Sequence, residues 1–113
     1  MPPRRNPLNL NPLQLKTLTL LQELATLTGT PAAEEDGGGV VIDELPHAHG
    51  DHFHLGEAVV AARDATGLRN PAVWAALHRK GLVRPKLPAM ILTPLGQQYD
   101  TGLRDAILHR GEH

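Results

Sequence analysis

Asn11-Pro12-Leu13-Gln14 opens the segment that most constrains how this chain can fold. Asparagine is a strong N-cap, proline suits the first helical position because its missing N–H would go unpaired there, and Gln14 can reach back to the cap. Leucines at 13, 20, 21, 24 and 27 then recur on one side of a helix, and Gly29 with Pro31 ends it, so the pattern predicts a helix over 12–28. The chain has 113 residues, enough for one compact domain and too few for two good cores.

The apolar residues are mainly Leu, Ala and Val, with one Phe, one Trp and one Tyr, which favours a small, largely helical protein over an aromatic-rich β-sandwich. Without cysteine there can be no thiolate metal site, disulfide or thiol nucleophile, and without serine no serine nucleophile. No glycine-rich loop stands between a strand and a helix, and no H-E-x-x-H pair occurs, so enzyme activity is not expected. No stretch approaches the roughly 18 apolar residues of a membrane span, and the expected location is the cytoplasm.

Residues 1–11, rich in proline, are expected to form a flexible N-terminal arm, and 12–113 the folded domain. Within it TGTPAAEEDGGG, small and acidic, reads as a mobile linker at 29–39. VVIDELPHAHGDHFHL reads as two extended arms about a Gly50-Asp51 turn. EAVVAARDATGL reads as a helix stopped at Gly67, Asn70-Pro71 restarts a helix that runs to Gly81, and Thr93-Pro94 opens a last helix through LGQQYDTGLRDAILHR. Between these, LVRPKLPAMIL is β-prone but interrupted by Pro85 and Pro88.

Two short helices joined by a turn, then strand, turn, strand and a further helix, is the order of a winged helix-turn-helix. ARDATGLRNPAVWAALHRKGLV resembles the helix-turn-helix of bacterial MarR-type transcriptional regulators, and MILTPLGQQY resembles the strand leaving their wing and the start of the next helix. The likeness covers roughly residues 55–99. It implies an α+β fold: a small winged helix-turn-helix domain, mostly helical, with a β-hairpin and a short wing. It also implies a transcriptional regulator that binds double-stranded DNA. Pro71 to Lys80 is shorter than the usual recognition helix, and Ala72, Ala75 and Ala76 stand where such helices carry polar residues.

Net charge is −1, yet the charge is segregated. From Glu34 to Asp64 there are eight acids and one arginine, whereas Ala65 to Tyr99 holds Arg69, Arg79, Lys80, Arg84 and Lys86 with no acid. Arg69 and Asn70, at the start of the second motif helix, are types that read guanine and adenine edges. Arg79, Lys80, Arg84 and Lys86 would face phosphates. The alternative is a winged helix that docks on another protein, with these cations a solvated surface and Asn70 only a cap. Trp74 is read as sealing the edge of a small core, or else as an exposed anchor. The leucine-rich first helix and the last helix suggest a homodimer.

Four of seven histidines fall within His47–His54. If Gly50-Asp51 is the hairpin turn, His49 faces His52, His47 faces His54, and all four share one face. Such a face offers nitrogen ligands to zinc or another divalent transition metal, with Asp51, Asp43 or Glu44 adding a carboxylate. A pH response or a plain polar face are the other readings. HAHGDH matches the HxHxDH string of metallo-β-lactamase-fold hydrolases, but that fold is far larger than this chain.

Overall fold

In the computed structural model, which describes residues 6–47 and 50–110, the helix opened by Asn11 runs Pro12–Thr28 (α1), the bounds expected from its caps. Both halves of the capping box form: Asn11 Oδ1 accepts the Gln14 N–H at 2.8 Å and Gln14 Oε1 accepts the Asn11 N–H at 3.0 Å. The helix is buried on more than one side. Leu18, Leu20, Leu21 and Leu24 are buried together with Thr17, Thr19 and Glu23. Each threonine returns its hydroxyl proton to a carbonyl four residues back, Leu13 and Leu15 respectively. Of the leucines expected on its apolar face, Leu20, Leu21 and Leu24 are buried, Leu13 is partly buried and Leu27 is exposed.

Around α1 stand two antiparallel sheets. The first has the order β1 (Thr30–Pro31), β2 (Val40–Ile42), β6 (Ala89–Leu92), β5 (Val83–Lys86), with Val41 opposite Ile91 and Val83 opposite Leu92. The second has the order β3 (His52–Leu55), β4 (Ala58–Ala61), β7 (His109–Arg110). Helices α2 (Pro71–Arg79), α3 (Pro94–Gln98) and α4 (Arg104–Ile107) complete an α+β fold with four α-helices among the described residues. None of them is long and apolar enough to cross a membrane.

Among the described residues the hairpin that forms is not the one expected about Gly50-Asp51. Val40–Ile42 pairs with β1 and β6, while His52–Leu55 pairs with the next strand, Ala58–Ala61, across a turn at Gly56-Glu57. Both sites carry glycine first, as a type II′ turn requires, so turn chemistry does not choose between them. Burial does: Phe53, Leu55, Ala58 and Val60 alternate onto one face and all are buried. The same pairing corrects the helix expected over residues 56–67, which begins as β4 and continues as two short 3-10 turns, Ala62–Asp64 and Thr66–Arg69. Gly67 lies so close to α1 that a Cβ there would stand 1.9 Å from Thr17 Oγ1. Lys16 of α1 pairs with the buried Asp64 at 2.9 Å.

The last helix is likewise divided. Tyr99 leaves helical geometry (φ −65°, ψ 127°) and turns inward, Gly102 has φ 71°, and α4 begins only at Arg104. The Gln22 side-chain amide of α1 donates to the Gly96 and Tyr99 carbonyls at 2.9 and 2.7 Å, satisfying the end of α3 from outside. Thr101, buried, hydrogen-bonds Thr19 Oγ1 at 2.6 Å.

The segments expected to be an arm and a linker carry contacts. Leu10 is buried, the Leu8 N–H donates to the Tyr99 hydroxyl at 3.1 Å, and that hydroxyl donates to Asn6 Oδ1. Tyr99→Phe is expected to cost about 1–1.5 kcal/mol in denaturant unfolding, because it leaves both partners without their hydroxyl while the ring still fills its place. In the linker, β1 pairs with β2, and a 3-10 turn over Glu34–Asp36 brings Asp36 to the β5–β6 hairpin.

Candidate nucleic-acid interface

Asn70 sets the start of α2 as its position predicts: Oδ1 accepts the Ala72 N–H at 3.0 Å, with Pro71 in the first turn. Spacing then divides the helix. Val73, Ala76 and Leu77 are buried, whereas Ala72, Ala75, His78 and Arg79 face solvent. Its nine residues give about 13.5 Å of helix. Trp74 is half-buried, with Nε1–H donating to the Leu68 carbonyl at 2.9 Å, so it seals the core edge as the milder reading expected. Its other edge lines a shallow groove of about 240 Å³ with Ile42, Asp43, Glu44, Pro88 and Met90.

The six residues expected at a nucleic-acid face are not equivalent. Arg69 and Arg79 are exposed at opposite ends of α2. Lys80 is half-buried, and its Nζ donates to the Leu8 carbonyl, holding the N-terminal segment. Arg84, half-buried, lays its guanidinium against Gly37, and its Nε and Nη2 are buried with no hydrogen-bond acceptor among the described residues. Lys86 pairs with Asp36 at 2.9 Å. Asn70 spends its side-chain oxygen on its own helix.

Sequence reasoning missed that the acidic turn Glu34–Asp36 sits beside the basic hairpin. The opposite charges of the two segments hinted at it, but their adjacency depends on β2 inserting between β1 and β6. It also missed the tip of that hairpin, where Leu87 is 89% exposed between Lys86 and Pro88. The Leu87–Pro88 peptide is cis, and Pro85 is tolerated because β5 is an edge strand.

The four-membered ladder expected of His47, His49, His52 and His54 includes a residue outside the described ones; in the β3–β4 pair, Ala61 stands opposite His52 and Val59 opposite His54. His49 lies outside the described residues. His47 is exposed after β2, on a groove of about 470 Å³ shared with Asp43, Glu44, Leu27, Leu55 and His54. Alternation does put His52 and His54 together on the outer face of β3, with Phe53 and Leu55 inside. Their rings meet edge to face with centres 4.8 Å apart, their Nε2 atoms 3.1 Å apart, and Asp51 Oδ1 lies 3.5 Å from His52 Nδ1. Among the described residues no three His, Asp or Glu side chains gather as a metal-ligand set.

Comparison with models of protein families, with curated proteins and with solved structures finds no match to this chain.

Proposed function

We propose that the chain is a winged-helix module that binds duplex DNA weakly and with little sequence preference, through the exposed face of α2 and the β5–β6 hairpin, in a regulatory role. The observation that supports this reading is the succession of a 3-10 turn, α2 and the β5–β6 hairpin, with β2 joined to β6 in the same sheet. In this reading the hairpin takes the part of a wing and α2 that of a recognition helix. Ala72 and Ala75 leave its outer surface small enough for close approach to a groove wall, and Arg69 and Arg79 flank it with cations.

Specific base reading has little to work with here. Asn70 would give up its cap, worth about 1 kcal/mol, to offer both amide atoms to an adenine. Affinity then rests on phosphate contacts. Lys80 and Arg84 are committed elsewhere, but the Lys86–Asp36 pair is partly exposed and worth only about 0–1 kcal/mol, so a phosphate can displace Asp36. Three cations, Arg69, Arg79 and Lys86, predict a slope of log K against log salt of about −2.7. The expected dissociation constant is in the nonspecific range, roughly 10⁻⁴ to 10⁻⁶ M.

Anisotropy of a labelled mixed-sequence duplex, titrated at several salt concentrations, tests this. Arg69→Ala and Arg79→Ala should each flatten the slope by about 0.9 without preference for duplex sequence. No binding at low salt, or a slope untouched by either variant, would refute the reading. A second reading, docking on another protein through the hairpin tip, is favoured by the exposed Leu87 and by the acids Asp36, Asp43 and Glu44 that flank the hairpin.

A further inference from the structure

We propose that Arg84 and Lys86 form a binding site for a phosphate monoester dianion, covered by the turn Glu34–Asp36. The two residues stand two apart on the edge strand β5, so they point to the same side of the first sheet. The turn between β1 and β2 lies on both of them. It gives Lys86 a carboxylate, with Asp36 Oδ2 at 2.9 Å from Nζ. To Arg84 it offers only the bare backbone of Gly37, where a Cβ would stand 2.9 Å from Nη1 and 3.1 Å from Nη2. Nε and Nη2 of Arg84, the donors that take two oxygens side by side, are buried without an acceptor among the described residues. A charged group stripped of water and left unpaired is costly, so the covered arrangement holds in reserve an interaction that a suitable anion completes.

Donors and charge together select the anion. The Arg84 fork needs two oxygens and the Lys86 ammonium a third, and the two side chains carry two positive charges. A phosphate monoester has three terminal oxygens and a charge of about −1.5 to −2 at pH 7. A single carboxylate fills the fork and leaves Lys86 to Asp36. A phosphodiester, with two free oxygens and one charge, can take Lys86 from Asp36 without filling the fork, which is why the duplex contacts proposed above count Lys86 and not Arg84.

The way in is from Lys86. Its side chain is 50% exposed and that of Asp36 30%, so an incoming anion meets this pair first and Asp36 yields. The turn then lifts as one piece, because its own hydrogen bonds lie inside it: the Asp36 and Gly38 N–H groups donate to the Ala33 carbonyl and the Gly37 N–H to that of Glu34. Gly39 stays behind. Its carbonyl accepts the Ala32 N–H at 3.0 Å, and it is pressed on β6, where a Cβ would stand 2.4 Å from the Leu92 carbonyl oxygen. The pivot falls at Gly38, where a Cβ would meet only Pro94 Cγ at 3.7 Å and where glycine moves between backbone conformations at little steric cost. Glu34 and Glu35, exposed on the same turn, are carried away from the anion as it lifts.

The test is a nuclear magnetic resonance titration of the full, isotope-labelled chain with inorganic phosphate at constant ionic strength, followed by the Arg84 Nε–H and by the amides of Gly37 and Gly38. Wild-type protein should saturate, with both sets of signals shifting along one binding curve. Arg84→Lys keeps the charge without the fork and Lys86→Ala removes the entry cation, and each should weaken binding about tenfold or more. Asp36→Asn should tighten it about threefold, because it releases Lys86 and leaves the backbone of the turn intact. Methyl phosphate should match inorganic phosphate, while dimethyl phosphate should bind about tenfold more weakly or worse. Arg63→Ala, which removes an exposed cation outside the site, should stay within about twofold of wild type. Unchanged circular dichroism verifies that the variants fold. The proposal is overturned if wild type does not saturate, if Arg84→Lys or Lys86→Ala binds as tightly as wild type, if Asp36→Asn binds more weakly, or if dimethyl phosphate binds as well as methyl phosphate. No nucleic acid enters these readouts, so failure here leaves the DNA-binding reading standing, and the reverse.

Discussion

Leu77→Ala is expected to destabilise the protein by about 3–5 kcal/mol, a third or more of the total stability usual for a domain of this size. Val73, Ala76 and Leu77 are the buried residues of α2, with Trp74 packed at the core edge, and Leu77 is 0% exposed. Truncation removes buried methyl groups and leaves a cavity between α2 and α1 that neither helix can close. α1 is fixed by contacts with both sheets, and just before β5 the Leu82 N–H bonds the Leu77 carbonyl at 2.9 Å. Urea unfolding followed by Trp74 fluorescence and by far-ultraviolet circular dichroism measures the loss, with Ala75→Ser, on the exposed face of the same helix, expected within about 0.5 kcal/mol of wild type. A cost below about 1 kcal/mol for Leu77→Ala would mean that α2 does not pack on α1 as described. The same variant should abolish duplex binding, since it loosens the element that carries Arg79.

Gly96→Ala has an expected sign opposite to the one helix propensity assigns. Alanine in place of glycine inside a helix ordinarily gains about 0.5–1 kcal/mol. Here a Cβ would stand 2.2 Å from the Leu82 carbonyl oxygen and 2.7 Å from Leu92 Cδ1. That carbonyl is backbone, and it is held by the Thr93 N–H and the Thr93 hydroxyl, both at 3.1 Å, so it cannot swing away. The clash must separate α3 from the first sheet, at a cost of about 2–3 kcal/mol. Gly81→Ala makes the comparison: φ is 79° there but nothing lies closer than Leu95 Cδ2 at 3.9 Å, so only backbone strain of about 1–2 kcal/mol is expected. Thermal midpoints that rank wild type above Gly81→Ala above Gly96→Ala support this packing, and a Gly96→Ala midpoint at or above wild type refutes it.

Local signals were read correctly where one residue acts on its neighbours. Asn11 and Asn70 cap the helices they precede, Pro12 and Pro71 stand in the first turns, and the Thr93-Pro94 start is capped by Thr93, whose hydroxyl accepts the Gly96 N–H at 3.0 Å. These effects act within a turn and need no partner from elsewhere in the chain. The β-structure was misassigned because two glycine-first turns six residues apart, at Gly50 and Gly56, are locally equal. Which one becomes a hairpin depends on whether Val40–Ile42 is claimed by β6.

The candidate site divides along the same line. Residue types at the α2 face were legible, as were the basic character of residues 65–99 and the shared face of His52 and His54, because helix and strand periodicity place side chains without reference to the rest of the fold. The availability of those residues was not legible. Lys80 is drawn to the Leu8 carbonyl 72 positions away, Lys86 to Asp36, and Arg84 under Gly37. Each contact joins segments far apart in the chain and is set by tertiary packing, not by spacing.

By itself, then, the sequence determined where α1, α2 and α3 begin, the charge segregation, and the shared strand face of two histidines. All of these are set by backbone sterics, capping and periodicity over a few residues. Only the tertiary structure decided the strand partners, the division of the last helix at Tyr99, the inward use of the α1 leucines, and which cations remain to meet a ligand. The physical reason is that burial and ion pairing are won in competition among distant segments, and α1, wrapped by both sheets, is the surface for which those segments compete.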